Sequence, residues 1–364
     1  MRTILLAQPH LLGKRIKNPI TARAGFTILE LLVACAIFAV MMGLISMAIS
    51  QMTKGIQTST SKVDAFQNAR TAFETVSRTL PNAALNPYID YFIASGGSYV
   101  SRGTNTNAPT YYGRSSDLNF FITNASSGIG SATDTVTHAV FFQAPLGYST
   151  NTNYTLPQGV LNPCGFFVAY GVDIGRTNMM TNSIYSGLKN NYRFRLHQWV
   201  SSSEELQVNT NTGVISNNWI GNGKLKLGTT WGCRPLADNI IAFVARVPAT
   251  NASGGFTNVP NSYFYNSSQT WSSSSTIQPA QMNQLPPFVE ITMVAVDENA
   301  MIRLAGSATD ASSAATALGI NSLSSLFTNA SSYTADLNAI TAGLSSKNVP
   351  YRVFTTTVPL RGAR

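Results

Sequence analysis

A single carboxylate in an otherwise uncharged apolar run is the first place to look for chemistry in this 364-residue chain. Glu30 is the only charge between Gly25 and Ile49, a stretch reading GFTILELLVACAIFAVMMGLISMAI. An ionised side chain in lipid is costly and marks a function by default. Phe26 lies four residues earlier, one helical turn away. It follows the small pair Ala24-Gly25, which stands before the apolar core rather than after it. A secretory signal is cut after its core. Cleavage at Gly25–Phe26 would remove a basic leader and keep the apolar run, whereas an uncleaved signal anchor would keep both.

The other chemistry-bearing residues are sparse. The three histidines are His10, His138 and His197. None falls in an HExxH pattern, and the last two lie in strand-like runs where a structural role is expected. Asp297-Glu298 ends a strand and offers two carboxylates, with a solvated turn as the ordinary reading and a cation site as the other. Cys35 lies in the apolar run. Cys164 and Cys233 lie far downstream, outside any CxxC, leaving a Cys164–Cys233 disulfide open in an oxidising compartment. No GxSxG elbow or P-loop is present. No acid, base, nucleophile or metal constellation emerges, so the expectation is a protein that is not an enzyme and takes no cofactor or metal.

The elements around Glu30 have a direction. The run is long enough to cross a bilayer. Arg2, Lys14, Arg15, Lys17 and Arg23 all precede it with no acidic residue among them. This bias places the N-terminus in the cytoplasm and the rest of the chain in the periplasm. Removing residues 1–25 leaves 19 basic against 15 acidic residues, so the net charge drops from +9 to +4. The remainder forms no basic cluster, and no nucleic-acid partner is expected.

Beyond Ile49 a helical period continues through Met52, Ile56, Val63, Phe66, Phe73, Val76 and Leu80. Pro81 ends it. The division expected is a leader over 1–25, a membrane helix over 26–49, its amphipathic continuation over 50–80 and an extracytoplasmic β-rich domain over 81–364. The β-branched and aromatic runs there predict strands at Leu118–Thr123, Val136–Gln143, Gly165–Val172, Tyr192–Val200, Ile240–Val247, Phe288–Val296 and Tyr351–Val358. A period of four, three and four predicts a helix over Tyr333–Lys347. The polar stretches 101–110, 249–281 and 307–316 read as long loops or insertions. At its length the second is functional, disordered or the holder of a small element. The fold class expected is α+β, a long N-terminal helix packed on a mostly antiparallel sheet.

The GFTILELL segment resembles the prepilin processing motif of type IV pilins and type II secretion pseudopilins. Gly25 matches the last leader residue, Phe26 the first mature residue and Glu30 the fifth. The resemblance implies cleavage between Gly25 and Phe26 by a membrane prepilin peptidase and N-methylation of Phe26. It also implies that Glu30 pairs with the new α-amino group of another subunit, where low dielectric strengthens the attraction. Further blocks, among them VDAFQNARTAFETVSRTLPNAALNPYIDY, NPCGFFVAYG, PLADNIIAFV and YRVFTTTVPLR, resemble protein C of the four-gene pilin-like cassette of Verrucomicrobia. LADNIIAFV, LPPFVEITMVAV and the closing TVPLR resemble J-type minor pseudopilins. Together these imply a pilin-like fold and a minor structural subunit of a pilus-like or type II secretion filament. Its partners would be the peptidase, other pilins and the inner-membrane assembly platform. The alternative is a filament-displayed adhesion or substrate-binding module, DNA uptake included, motivated by the 249–281 stretch.

Overall fold

The computed structural model describes residues 25, 27–103, 105–125, 134–151, 153, 159–172, 192–206, 233–250 and 255–362. The chain divides into two compact units, Met1–Gln57 and Thr58–Arg364. Helix α1 (Ile28–Thr79) begins in the first and ends in the second. The break between units falls inside the stretch expected to be the amphipathic continuation.

The second unit is built on antiparallel strands. Strands β4 (Phe121–Asn124), β5 (Thr135–Pro145), β6 (Leu161–Val172), β7 (Tyr192–Val200), β8 (Cys233–Asp238) and β11 (Tyr265–Asn266) form a six-stranded sheet in the order β11-β4-β5-β6-β7-β8. Strands β9 (Ile240–Thr250), β10 (Phe256–Ser262), β13 (Phe288–Val296) and β14 (Tyr351–Pro359) form a second sheet, ordered β10-β9-β13-β14. A small sheet, β12-β2-β1-β3, joins β1 (Tyr88–Ser95), β2 (Ser98–Ser101), β3 (Tyr111–Ser115) and β12 (Trp271–Ser272). Helices α2 (Glu298–Ala305), α3 (Ala311–Ala317) and α4 (Tyr333–Ser346) lie between β13 and β14.

The largest core joins one face of the six-stranded sheet to the β9–β13 pair and the helices. Phe142, Phe166, Phe194, Phe243, Ile291 and Met293 are among its buried side chains. The second part of α1 adds Ala69, Ala72, Val76 and Leu80, with Phe66 and Phe73 against them. That spacing keeps one stripe on the sheet. Phe73 lies 5.7 Å from Phe354 of β14, and the Arg352 guanidinium sits 5.4 Å above the Phe66 ring. The periodic residues nearer the start, Met52, Ile56 and Val63, are exposed instead. The stripe therefore serves the core only from Phe66 onward.

The two larger sheets are tied by side chains at an irregularity. The β5–β6 register shifts between Val136 and Ala139, and Thr137 takes a φ of 59°. The adjacent pair then turns toward β9. Thr137 Oγ1 accepts from Phe243 N–H at 3.0 Å, and His138 Nδ1 accepts from Ala245 N–H at 3.2 Å. A β-bulge commonly re-aims a side chain this way.

The 249–281 stretch holds three of the strands, and each belongs to a different sheet. β10 pairs with β9, β11 with β4, and β12 with β2. Tyr263, Tyr265 and Trp271 are fully or nearly buried. Ser267 donates to Asn119 Oδ1 at 2.6 Å and accepts from Phe120 N–H at 2.8 Å. Of the readings open for this stretch, the structure takes the small-element one, as a seam among three sheets. The 307–316 stretch is likewise not all loop. Asp310 caps α3, its carboxylate accepting from Ser313 N–H at 2.8 Å, and an alanine-rich sequence propagates the helix.

Candidate processing and assembly helix

The first turn of α1 is set by a side-chain exchange. Thr27 Oγ1 accepts from Glu30 N–H at 3.2 Å. In return Glu30 Oε2 accepts from Thr27 N–H and from the Thr27 hydroxyl, both at 3.4 Å. Thr27-Ile28-Leu29-Glu30 is thus a capping box, which satisfies donors that a helix start leaves orphaned. The helical ladder opens at once with Leu31 N–H to Thr27 C=O at 3.2 Å. The Glu30 charge also lies at the positive end of the helix dipole. Thr27 was not among the residues expected to matter, although the Thr-x-x-Glu spacing signals it.

Gly25 lies outside the helix and is exposed. A Cβ placed on it would meet no heavy atom within 4 Å. No contact among the described residues therefore demands glycine at this position. Phe26 lies outside the described residues.

From Ile28 to Ile56 the helix runs 29 residues, its most apolar stretch reaches a mean hydropathy of 2.7, and none of that stretch is buried. Ile28 is 82% exposed and Leu44 63%. At 1.5 Å per residue this span covers about 43 Å, against a hydrocarbon thickness of about 30 Å. Apolar surface of this extent is stable only once covered by lipid or protein. Gly43 and Gly55 lie within the continuous helix, and a Cβ on either would meet nothing within 4 Å.

The remaining candidates belong to the second unit, each with a structural partner. His138 is 1% exposed. Its Nδ1 accepts from Ala245, so Nε2 carries the proton and donates to Phe327 C=O at 2.9 Å. Burial holds its pKa down at about 4, against the pull of the Phe327 carbonyl. His197 stacks on Phe167 with ring centroids 5.6 Å apart. Burial and then the Arg195 charge bring it down to about 4 as well. Asp297 is buried rather than in a solvated turn and joins no cation-binding cluster among the described residues; it caps α2, Oδ2 accepting from Ala300 N–H at 3.1 Å. Glu298 pairs with the buried Arg193 at 2.8 Å.

The Cys164–Cys233 disulfide is corrected. Both residues are free thiols. Cys164 lies on β6 opposite Val200 of β7, whereas Cys233 lies on β8 opposite Trp199. With β7 between them their backbones stand ~10 Å apart, two strand spacings, beyond the ~7 Å that a disulfide spans. Neighbouring residues of β7 also point to opposite faces, so the two thiols do too. Burial pushes the Cys164 thiol up and brings Cys233 to about 12, which keeps both protonated and unreactive.

Residues 20–49 match the family model described as the prokaryotic N-terminal methylation motif. No curated protein and no solved structure matches the chain. The motif is prepilin-type and supports the type IV pilin-like and pseudopilin class. With the one apolar helix it fits a single-pass membrane anchor. It implies processing by a prepilin peptidase and association with other pilins, and it points to a structural subunit rather than an enzyme.

Proposed function

We propose that this chain is a minor pilin-like or pseudopilin subunit, cleaved after Gly25 and N-methylated on Phe26. It is held in the inner membrane by α1, with its β-rich domain in the periplasm. From there it is assembled by an inner-membrane platform into a type IV pilus-like or type II secretion filament. The divisions at 25, 49 and 80 are then a leader, an anchor and its continuation, leaving 81–364 as the exported domain. The blocks resembling the Verrucomicrobia cassette protein C and J-type minor pseudopilins favour a minor-subunit role within this class. One observation carries the reading: the methylation motif falls on an exposed apolar helix that begins at Ile28, three residues after Gly25, a glycine whose Cβ would meet no heavy atom within 4 Å among the described residues. Glycine suits close approach of a backbone to a catalytic site.

The capping box gives Glu30 a second task beside docking charge, and the two are separable. Glutamine serves in a capping box but carries no charge. The chain is expressed in a host with a prepilin peptidase, and mature N-termini are read by mass spectrometry. The wild type is expected to begin at N-methylated Phe26, and Gly25→Val to stay uncut. Glu30→Gln is expected to be processed yet lost from purified filaments at least tenfold. Glu30→Ala is expected to show that loss with a frayed first turn. An unmodified Met1 terminus on the wild type overturns the proposal. Filaments holding Glu30→Gln and wild type equally overturn the docking role.

The adhesion reading loses part of its motive, because residues 256–272 of the 249–281 stretch pair into three sheets.

A further inference from the structure

Sheet edges are ready templates for pairing, and proteins usually blunt them with short strands, proline, bulges or covering groups. Five of the six edges here are managed among the described residues. β11 and β12 are two residues long. β8 contains Pro235 and a register shift against β7. β10 contains Pro260 and two shifts. The edge of β3 is closed by a side chain that mimics a strand. Gln278 Oε1 accepts from Arg114 N–H at 2.8 Å while its Nε2 donates to Arg114 C=O at 2.7 Å.

The sixth edge, β14, has none of these devices. Its nine residues, YRVFTTTVP, stay in unbroken register with β13, and proline comes only at the end. Among the described residues no hydrogen bond reaches the side of the strand away from β13. Arg352, Val353, Thr355 and Thr357 are exposed. At ~3.4 Å per residue the open edge runs ~31 Å. Along the sequence Lys347, Arg352 and Arg361 lie on or beside the strand and no acidic residue comes after Asp336, while Glu290 of β13, opposite Thr357, is neutralised by Arg246.

We infer that the free edge of β14 is a strand-addition site for an extended, acidic segment of a partner protein, which extends the sheet to five strands. Main-chain hydrogen bonds supply affinity in such pairing, and flanking side chains supply selection. Like charges placed across a new pair oppose it and opposite charges favour it, so the basic flank selects an acidic strand. The inference rests on the C-terminal strand alone and stands apart from the processing of the N-terminus.

The test uses the full chain in detergent micelles and two synthetic nine-residue peptides of alternating threonine and valine. One carries two glutamates, the other two lysines at the same places. Hydrogen–deuterium exchange is followed amide by amide. The acidic peptide is expected to slow the outward amides of β14 at least tenfold, less so at high salt, and the lysine peptide to leave them unchanged. In an antiparallel strand successive residues point their amides to opposite sides. Of Thr355→Pro and Thr356→Pro, the one that keeps the wild-type melting temperature thus removes an outward donor, and it is expected to lose the protection. Arg352→Glu with Arg361→Glu is expected to reverse the peptide preference, and this variant decides the matter where both prolines unfold the chain. No slowing with the acidic peptide, or equal slowing with both peptides, overturns the proposal. So does slowing that rises with protein concentration without peptide, since a second copy is then the occupant.

Discussion

Two segments of this chain have their composition and their surroundings reversed. The Ile28–Ile56 part of α1 is almost wholly apolar, yet none of its most apolar window is buried among the described residues. Residues 256–285 are rich in serine, asparagine and threonine, yet they pair into three sheets and bury Tyr263, Tyr265, Ser267 and Trp271, the last only 2% exposed. Hydrophobicity states which medium a side chain prefers. It does not state whether that medium is the chain's own core. The apolar helix awaits a covering from outside. The polar segment is held by strand pairing and by hydrogen bonds to the groups it buries, as at Ser267 and Tyr265.

The contrast can be broken most forcefully at Trp271. Its ring lies 5.5 Å from Phe92 and 4.8 Å from Tyr99, and its indole N–H donates to Ser275 C=O at 3.0 Å. Trp271→Ala should cost about 3–5 kcal/mol, a large share of a typical domain's stability. Urea unfolding followed by near-ultraviolet circular dichroism measures it. A loss under 1 kcal/mol (about the cost of a surface change) would return this segment to the status of a loop.

His138 sharpens the same contrast for charge. Its folded pKa of about 4 lies below the unfolded value of 6.5, so acid favours the unfolded chain. The stabilisation is complete above pH 6.5 and falls as pH drops, with about 3 kcal/mol lost by pH 4. Denaturation midpoints measured from pH 7 to pH 4 should show this slope together with a like share from His197, and His138→Gln should remove about half of it. An unchanged slope in the variant would assign the acid sensitivity elsewhere.

The smallest effect belongs to the apolar helix. Leu44→Ser in detergent should shift the unfolding of the second unit by less than about 0.5 kcal/mol, since Leu44 is exposed. A larger shift would mean that the span also braces the fold.

What could be read in advance divides along physical lines. The aromatic and β-branched runs Tyr192–Val200 and Phe288–Val296 are strands with those bounds, because both faces of each are packed and composition carries the signal. The helix expected over Tyr333–Lys347 ends one residue earlier. The small sheet went unread. In β1 the Tyr-Ile-Asp-Tyr-Phe alternation leads into the glycine pair of a tight hairpin, Gly96 and Gly97, both at positive φ. β11 and β12 were illegible, since two residues have no period and each exists only through a distant partner. At the N-terminus Glu30 stood out by its cost in lipid. Its exchange with Thr27 lay in the spacing but was overshadowed by the charge.

The seam has a consequence in time. Tyr265 pairs with Ile122 and Trp271 with Tyr99, so sheets begun early in the chain are closed by residues that emerge some 140 to 170 positions later. Contacts this distant are slow to form. Until residue 272 has been made and delivered, β2 and β4 each stand with a bare side, and bare strands are where nascent chains go astray. The segment from β10 to β12 acts as a keystone: it carries little of the mass, and its arrival decides when the arch can stand.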